Sequence, residues 1–117
     1  MRYFMKILIA GSRGICHFDL SEYIPEDAEL IISGGASGID SVAEQYADKH
    51  KISKLVLRPN YQRYGKGAPL IRNKTMVDIA DMVIIIWDGK SRGTKFTLDY
   101  AEKNGKTVVL ININDKQ

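Results

Sequence analysis

Apolar residues in this chain fall in runs rather than in strict alternation. Met5 to Ile9, broken only by Lys6, and the uninterrupted Leu30 to Ile32 and Met82 to Ile86 are apolar runs, the signature of parallel strands covered on both faces. Between them the spacing turns helical: Val42, Ala43, Tyr46 and Ala47 form one stripe, with Glu44, Asp48 and Lys49 on the opposite side. The pattern predicts strand 5–10, a loop and short helix through 18–24, strand 29–33, helix 38–50, strand 54–58 and a long loop over 59–67. Helix 68–79, strand 82–87, helix 93–104, stopped by Gly105, and strand 107–112 follow. Strands alternating with helices imply βαβ units. The expected architecture is a single Rossmann-like α/β domain over residues 1–117, with a five-stranded parallel sheet in the order 3-2-1-4-5 and helices on both faces.

Three of the strands run directly into glycine-bearing segments: Gly11-Ser12-Arg13, Ser33-Gly34-Gly35-Ala36-Ser37-Gly38-Ile39-Asp40, and Trp87-Asp88-Gly89-Lys90-Ser91-Arg92-Gly93-Thr94. Glycine permits a sharp turn and a close approach of ligand to the backbone amides. A helix that starts there offers unsatisfied N–H groups and the positive end of its dipole to an anion. Three such junctions predict a nucleotide- or phosphate-binding crevice at the carboxyl edge of the sheet. The phosphate is expected against the amides of Gly34, Gly35 and Ala36, or against those of Arg92, Gly93 and Thr94. Arg72, one turn into helix 68–79, is expected to face them, with Arg13 and Lys66 adding charge.

Charge sharpens this picture. The formal net charge is only +3, but residues 58 to 74 hold Arg58, Arg63, Lys66, Arg72 and Lys74 with no acid, and Lys90, Arg92 and Lys95 cluster at the third glycine segment. The basic excess thus falls on the glycine loops, which favours an anionic partner. One cysteine, Cys16, and two histidines, His17 and His50, provide neither a disulfide framework nor a zinc ligand set, so no metal is predicted. A lone cysteine, no apolar h-region and no run near ~20 apolar residues lead to the expectation of a cytoplasmic protein with no membrane partner.

Several residues have two readings at this stage. Tyr61 and Tyr64, interleaved with cations in the loop 59–67, can cover a base or anchor the loop. Asp40 can bind a ribose hydroxyl, act in catalysis, or stabilise the first turn of its helix. Ser91 and Thr94 can contact phosphate, cap the last helix, or do both. Asp88 is the remaining acid near the third turn, where turn formation explains it equally well, and Trp87 reads as core packing.

Taken together, Gly11-Ser12-Arg13, the 33–40 segment, Gly65-Lys66-Gly67-Ala68, Arg72-Asn73 with Met76, Ala80-Asp81 and the 87–94 segment resemble the YspA-like branch of the SLOG superfamily, the group related to DprA/Smf and LOG proteins. The resemblance runs from Ile9 to Ala101 and implies a Rossmann-like domain whose glycine loops bind a nucleotide or a nucleotide-derived ligand. It implies Ser33, Gly38, Asn73, Gly89, Ser91 and Arg92 as further ligand-binding positions. LOG-type phosphoribohydrolases carry an Arg-Lys-x-x-Met stretch and a Gly-Thr pair followed by a catalytic glutamate. Arg72, Met76, Gly93 and Thr94 match these, whereas Thr97 stands at the glutamate position. Cleavage of an N-glycosidic bond needs a carboxylate to activate water and stabilise an oxocarbenium-like state, which threonine does not supply. DprA-like proteins, which bind single-stranded DNA, share the Ser-Gly-x-Ala-x-Gly-Ile-Asp pattern of 33–40 and an Arg-Asn pair like Arg72-Asn73.

The leading functional expectation is therefore binding or sensing of a nucleotide-like small molecule, with no additional cofactor. A nucleotide hydrolase drawing on Arg72, Asp40 or Asp88 stands second, and a single-stranded nucleic-acid binder third. LOG-like relatives pair, and a domain this small has limited core, so a homodimer through an apolar helix face is a further expectation.

Overall fold

The apolar runs become the sheet. The computed structural model describes residues 5–113, in which strands β1 (Met5–Gly11), β2 (Ala28–Ser33), β3 (Ser53–Val56), β4 (Met82–Trp87) and β5 (Thr107–Asn112) hydrogen-bond in the order β3-β2-β1-β4-β5. Every pairing is parallel. Helices α1 (Ile39–Lys49), α2 (Tyr61–Tyr64), α3 (Ala68–Ile79) and α4 (Arg92–Lys103) complete the fold, which is the doubly wound arrangement the sequence predicts. The radius of gyration, 13.4 Å, is that of one compact domain, for which about 13 Å per ~100 residues is typical.

Side chains leave a strand alternately to its two faces, so each run feeds two cores. Ile7, Ile9, Ile31, Ile84 and Ile86 pack with Ile39, Ala43 and Ala47 of α1. Leu8, Ala10, Ile32, Val83 and Ile85 pack on the other face with Met76 and Val77 of α3 and Leu98 and Ala101 of α4. Burying one such branched side chain contributes roughly 1.5–3 kcal/mol. The paired bonds between Lys6 and Asp81, backbone to carboxylate at 2.9 Å and backbone to backbone at 2.8 Å, fix the start of β4 beside β1. Asp81 thus belongs to the scaffold.

Three predicted elements change. The short helix expected through 18–24 is a series of turns. The Asp19 carboxylate accepts from both the amide and the hydroxyl of Ser21, and Tyr23 and Ile24 both donate to the Leu20 carbonyl, so no helical ladder propagates. The apolar residues that suggested a helix still reach the α1 face, where Leu20 is buried and Phe18, Tyr23 and Ile24 pack against it. Strand β3 ends at Val56 rather than at 58. The expected loop 59–67 contains α2, capped by the Asn60 side chain, which accepts from the Arg63 amide at 3.1 Å, and a 3-10 turn at Gly65–Gly67.

Candidate functional site

Neighbouring strands β1 and β4 send the chain in opposite directions at their carboxyl ends, β1 toward β2 and β4 toward β5. Such a reversal opens a crevice between the two departing connections. Ser12 sets the width of that opening. Its amide donates to the Ile86 carbonyl (3.1 Å), its hydroxyl accepts from the Asp88 amide (3.0 Å), and its carbonyl accepts from the Ile39 amide (3.3 Å). One buried serine therefore ties the end of β1 to the turn after β4 and to the start of α1. Above it lies a cavity of about 380 Å3 bordered by Arg13, Ala36, Asp40, Arg72, Gly93 and Thr94.

The turn after β2 is closed on itself. The buried Ser33 hydroxyl accepts from the Gly35 amide (3.2 Å) and donates to the Glu44 carboxylate (2.8 Å). The Ala36 amide donates to Asp40 Oδ2 (3.0 Å). Two of the three amides expected to cradle a phosphate here already have partners within the turn. Gly34 sits between two functional groups: a Cβ at that position would lie 2.8 Å from Arg72 Nη1 and 3.0 Å from Asp40 Oδ2, so any side chain would drive them away. Gly38 has φ +74°, and a Cβ there would collide with the carbonyl of Arg13. Gly38 is required by the packing of this turn before any ligand is considered, and Gly34 leaves Arg72 and Asp40 their places.

The turn after β4 is organised differently. The Asp88 carboxylate accepts from the amides of Lys90 (2.8 Å) and Ser91 (2.9 Å), which shapes the turn and holds the acid below its usual pKa. Ser91 is the N-cap of α4, its hydroxyl accepting from the Thr94 amide (3.4 Å) and bonding the Thr94 hydroxyl (3.0 Å). Trp87 packs into the core and donates from its indole nitrogen to the Ser91 carbonyl (3.0 Å). Among the described residues no group accepts from the amides of Arg92 and Gly93, the first two positions of α4. Gly93 and Thr94 of this helix end line the cavity.

Arg72 bridges the two halves of the sequence. Its Nη1 donates to the carbonyls of Gly34 (2.6 Å) and Leu57 (3.2 Å), and its Nε donates to the Asn73 side chain (2.7 Å). Expected to face the 34–36 or the 92–94 amides, it is bonded to the first turn at the Gly34 carbonyl, shares the cavity lining with Gly93 and Thr94, and fastens α3 to the ends of β2 and β3. Burial lowers its pKa, a tendency that Asp40 opposes. Asp40, 8 % exposed, has a raised pKa. Burial is the main cause and the nearby Glu44 adds to it, while the Ala36 hydrogen bond, Arg72 and Arg13 pull the other way. The site thus holds a half-buried cation and a desolvated carboxylate beside one cavity, an arrangement typical of functional clefts.

Other expected residues are placed elsewhere. Tyr64 and Lys66 border neither this cavity nor the one beside it; both are exposed, and Arg63 lies over the Tyr64 ring at 5.4 Å. Gly89 and Arg92 flank the crevice without bordering it, and Gly11 borders its floor. Thr97 also borders the crevice, its hydroxyl donating to the Gly93 carbonyl (3.1 Å). Arg58 lines the adjoining cavity and is not among the expected site residues; the signal for it in the sequence is its place after a strand's carboxyl end, as for Arg13. Among the described residues no cluster of His, Cys, Asp or Glu could hold a metal ion, and no helix is long and apolar enough to cross a membrane. Comparison of the chain with protein-family models, with curated proteins and with solved structures finds no match.

Proposed function

We propose that the crevice binds a phosphorylated nucleotide-like small molecule, with its phosphate at the start of α4. The observation that carries this reading is that one cavity is lined by Gly93, whose amide has no protein acceptor among the described residues, and by Arg13 and Arg72. Backbone donors at a helix start with cations opposite form an anion receptor. A cavity of about 380 Å3 lies in the usual range for small ligands, roughly 300–1,000 Å3. The motif resemblance to nucleotide-binding SLOG domains supports the same class of ligand. A thermal-shift screen across nucleotides, followed by chromatographic recovery of whatever stabilises, tests it. Stabilisation with intact recovery is the predicted result; absence of any shift at millimolar nucleotide overturns it.

Asp40 supports a second reading, nucleotide hydrolysis. A carboxylate with a raised pKa at the cavity wall is suited to take a proton from water. Asp88, exposed to hydrogen bonds from two amides and held below its usual pKa, is not. Recovery of a free base or free phosphate in the same experiment would favour hydrolysis. A third reading, single-stranded nucleic acid, rests on the exposed Tyr61 and Tyr64 with Arg63 between them; it predicts oligonucleotide binding that weakens steeply with salt.

A further inference from the structure

A second cavity, of about 350 Å3, adjoins the crevice and shares Arg13, Ala36 and Arg72 with it. Its remaining wall differs in chemistry. Arg58, Pro59 and Tyr61 line it, and Tyr61 is 57 % exposed. Arg58 reaches back over the β2 turn, where its Nη1 donates to the Gly35 carbonyl at 2.9 Å. That bond uses one of the five donors of the guanidinium. Arg13 and Arg72 stand at the junction of the two lobes and Arg58 in the outer one, so three guanidinium groups border one continuous groove. Acids are confined to the inner lobe, where Asp40 and Asp88 lie, and the outer lobe has none.

One phosphate needs one receptor, and the start of α4 with the junction arginines provides it. A further cation and an exposed aromatic ring in an acid-free adjoining lobe have no role in holding that phosphate. Asp40 offsets the charges of Arg72 and Arg13 from the inner lobe, whereas no acid lines the outer lobe beside Arg58.

Resting on the nucleotide reading above, we propose that the outer lobe is a second phosphate subsite centred on Arg58, and that the ligand is a nucleotide carrying two phosphates rather than one. The second phosphate sits between Arg58 and Arg13, and the organic group beyond it lies on Tyr61. Two sources have this chemistry, a terminal diphosphate and a pyrophosphate bridging two nucleosides, and both place two anionic centres along the groove.

Isothermal titration of the full chain with a nucleoside 5′-monophosphate, the matching 5′-diphosphate and a pyrophosphate-bridged dinucleotide tests the assignment. At least one two-phosphate ligand should bind about tenfold or more tightly than the monophosphate, the usual worth of one added charge-assisted contact. Preference for the dinucleotide identifies the bridged source, and preference for the diphosphate the terminal one. In Arg58→Ala the ratio of the two affinities should collapse toward one, and Arg58→Lys should restore part of it. A melting transition measured for each variant separates a lost contact from a lost fold. A monophosphate that binds as tightly as the two-phosphate ligands, or an affinity ratio unmoved in a folded Arg58→Ala, overturns the second subsite and leaves the nucleotide reading standing. Failure of all three ligands to bind overturns both.

Discussion

The turns after β2 and β4 are both glycine-bearing, both follow a buried strand and both lead into a helix, yet their hydrogen bonding differs. In the first, Ser33 and Asp40 take the amides of Gly35 and Ala36, and Arg72 takes the Gly34 carbonyl. In the second, Asp88 and Ser91 shape the turn, and the Arg92 and Gly93 amides are left without a protein acceptor among the described residues. The first turn is closed on itself, and the second keeps the free donors that the proposed receptor needs. A glycine-rich sequence announces a turn, and only the hydrogen-bond partners tell which kind it is.

Glycine substitutions should separate the two turns most sharply. At Gly38 the positive φ and the collision with the Arg13 carbonyl combine backbone strain with overpacking. Gly38→Val should therefore cost roughly 3 kcal/mol or more in urea denaturation. At Gly93 a Cβ meets nothing within 4 Å and the position is helical. Gly93→Ala should leave stability unchanged or raise it by about 0.5–1 kcal/mol, while its methyl group crowds the anion at the start of α4 and lowers nucleotide affinity. Equal stability losses at the two positions would erase the distinction.

Arg72 is bonded to the scaffold and belongs to the proposed receptor, so its removal should be felt twice. Arg72→Ala deletes hydrogen bonds to Gly34, Leu57 and Asn73 and should destabilise the protein by roughly 1.5–3 kcal/mol. Nucleotide affinity should fall about ten- to hundredfold in the same variant. Affinity lost with a wild-type melting curve would show that its bonds to the scaffold are dispensable.

The smallest effect concerns pH. The raised pKa of Asp40 means that the folded state binds its proton more tightly than the unfolded chain, whose value is near 3.8. Its contribution to stability is therefore fully present below that value and is lost as pH rises through the folded pKa. Stability of the wild type relative to Asp40→Asn should decline with rising pH across this acidic window. A difference that grows with pH would mean that Arg72 and Arg13 outweigh burial at this site.

Much of the fold was legible because runs such as Met82 to Ile86 are covered on both faces, a condition that leaves no polar position to confuse the pattern. The 18–24 segment misled because Phe18, Leu20, Tyr23 and Ile24 face the core as a helix would, while Asp19 and Leu20 collect the hydrogen bonds into turns. Of the site, Arg13, Asp40, Arg72 and Gly93 could be named from sequence, each lying just beyond a strand or at a helix start. The difference between the two glycine turns was hidden, since it depends on which side chain reaches which amide. Arg58 is one of several cations in a basic stretch, and its bond across to Gly35 is what distinguishes it.

The most direct test of receptor against scaffold is a 15N-edited NMR titration with a nucleoside 5′-monophosphate, read at the backbone amides of both turns. An anion accepted by an amide shifts its proton strongly downfield. The largest downfield shifts should fall on Arg92 and Gly93, with Gly35 and Ala36 moving little because their protons already point at Ser33 and Asp40. Dominant shifts at Gly35 and Ala36, with Arg92 and Gly93 unmoved, would contradict the account.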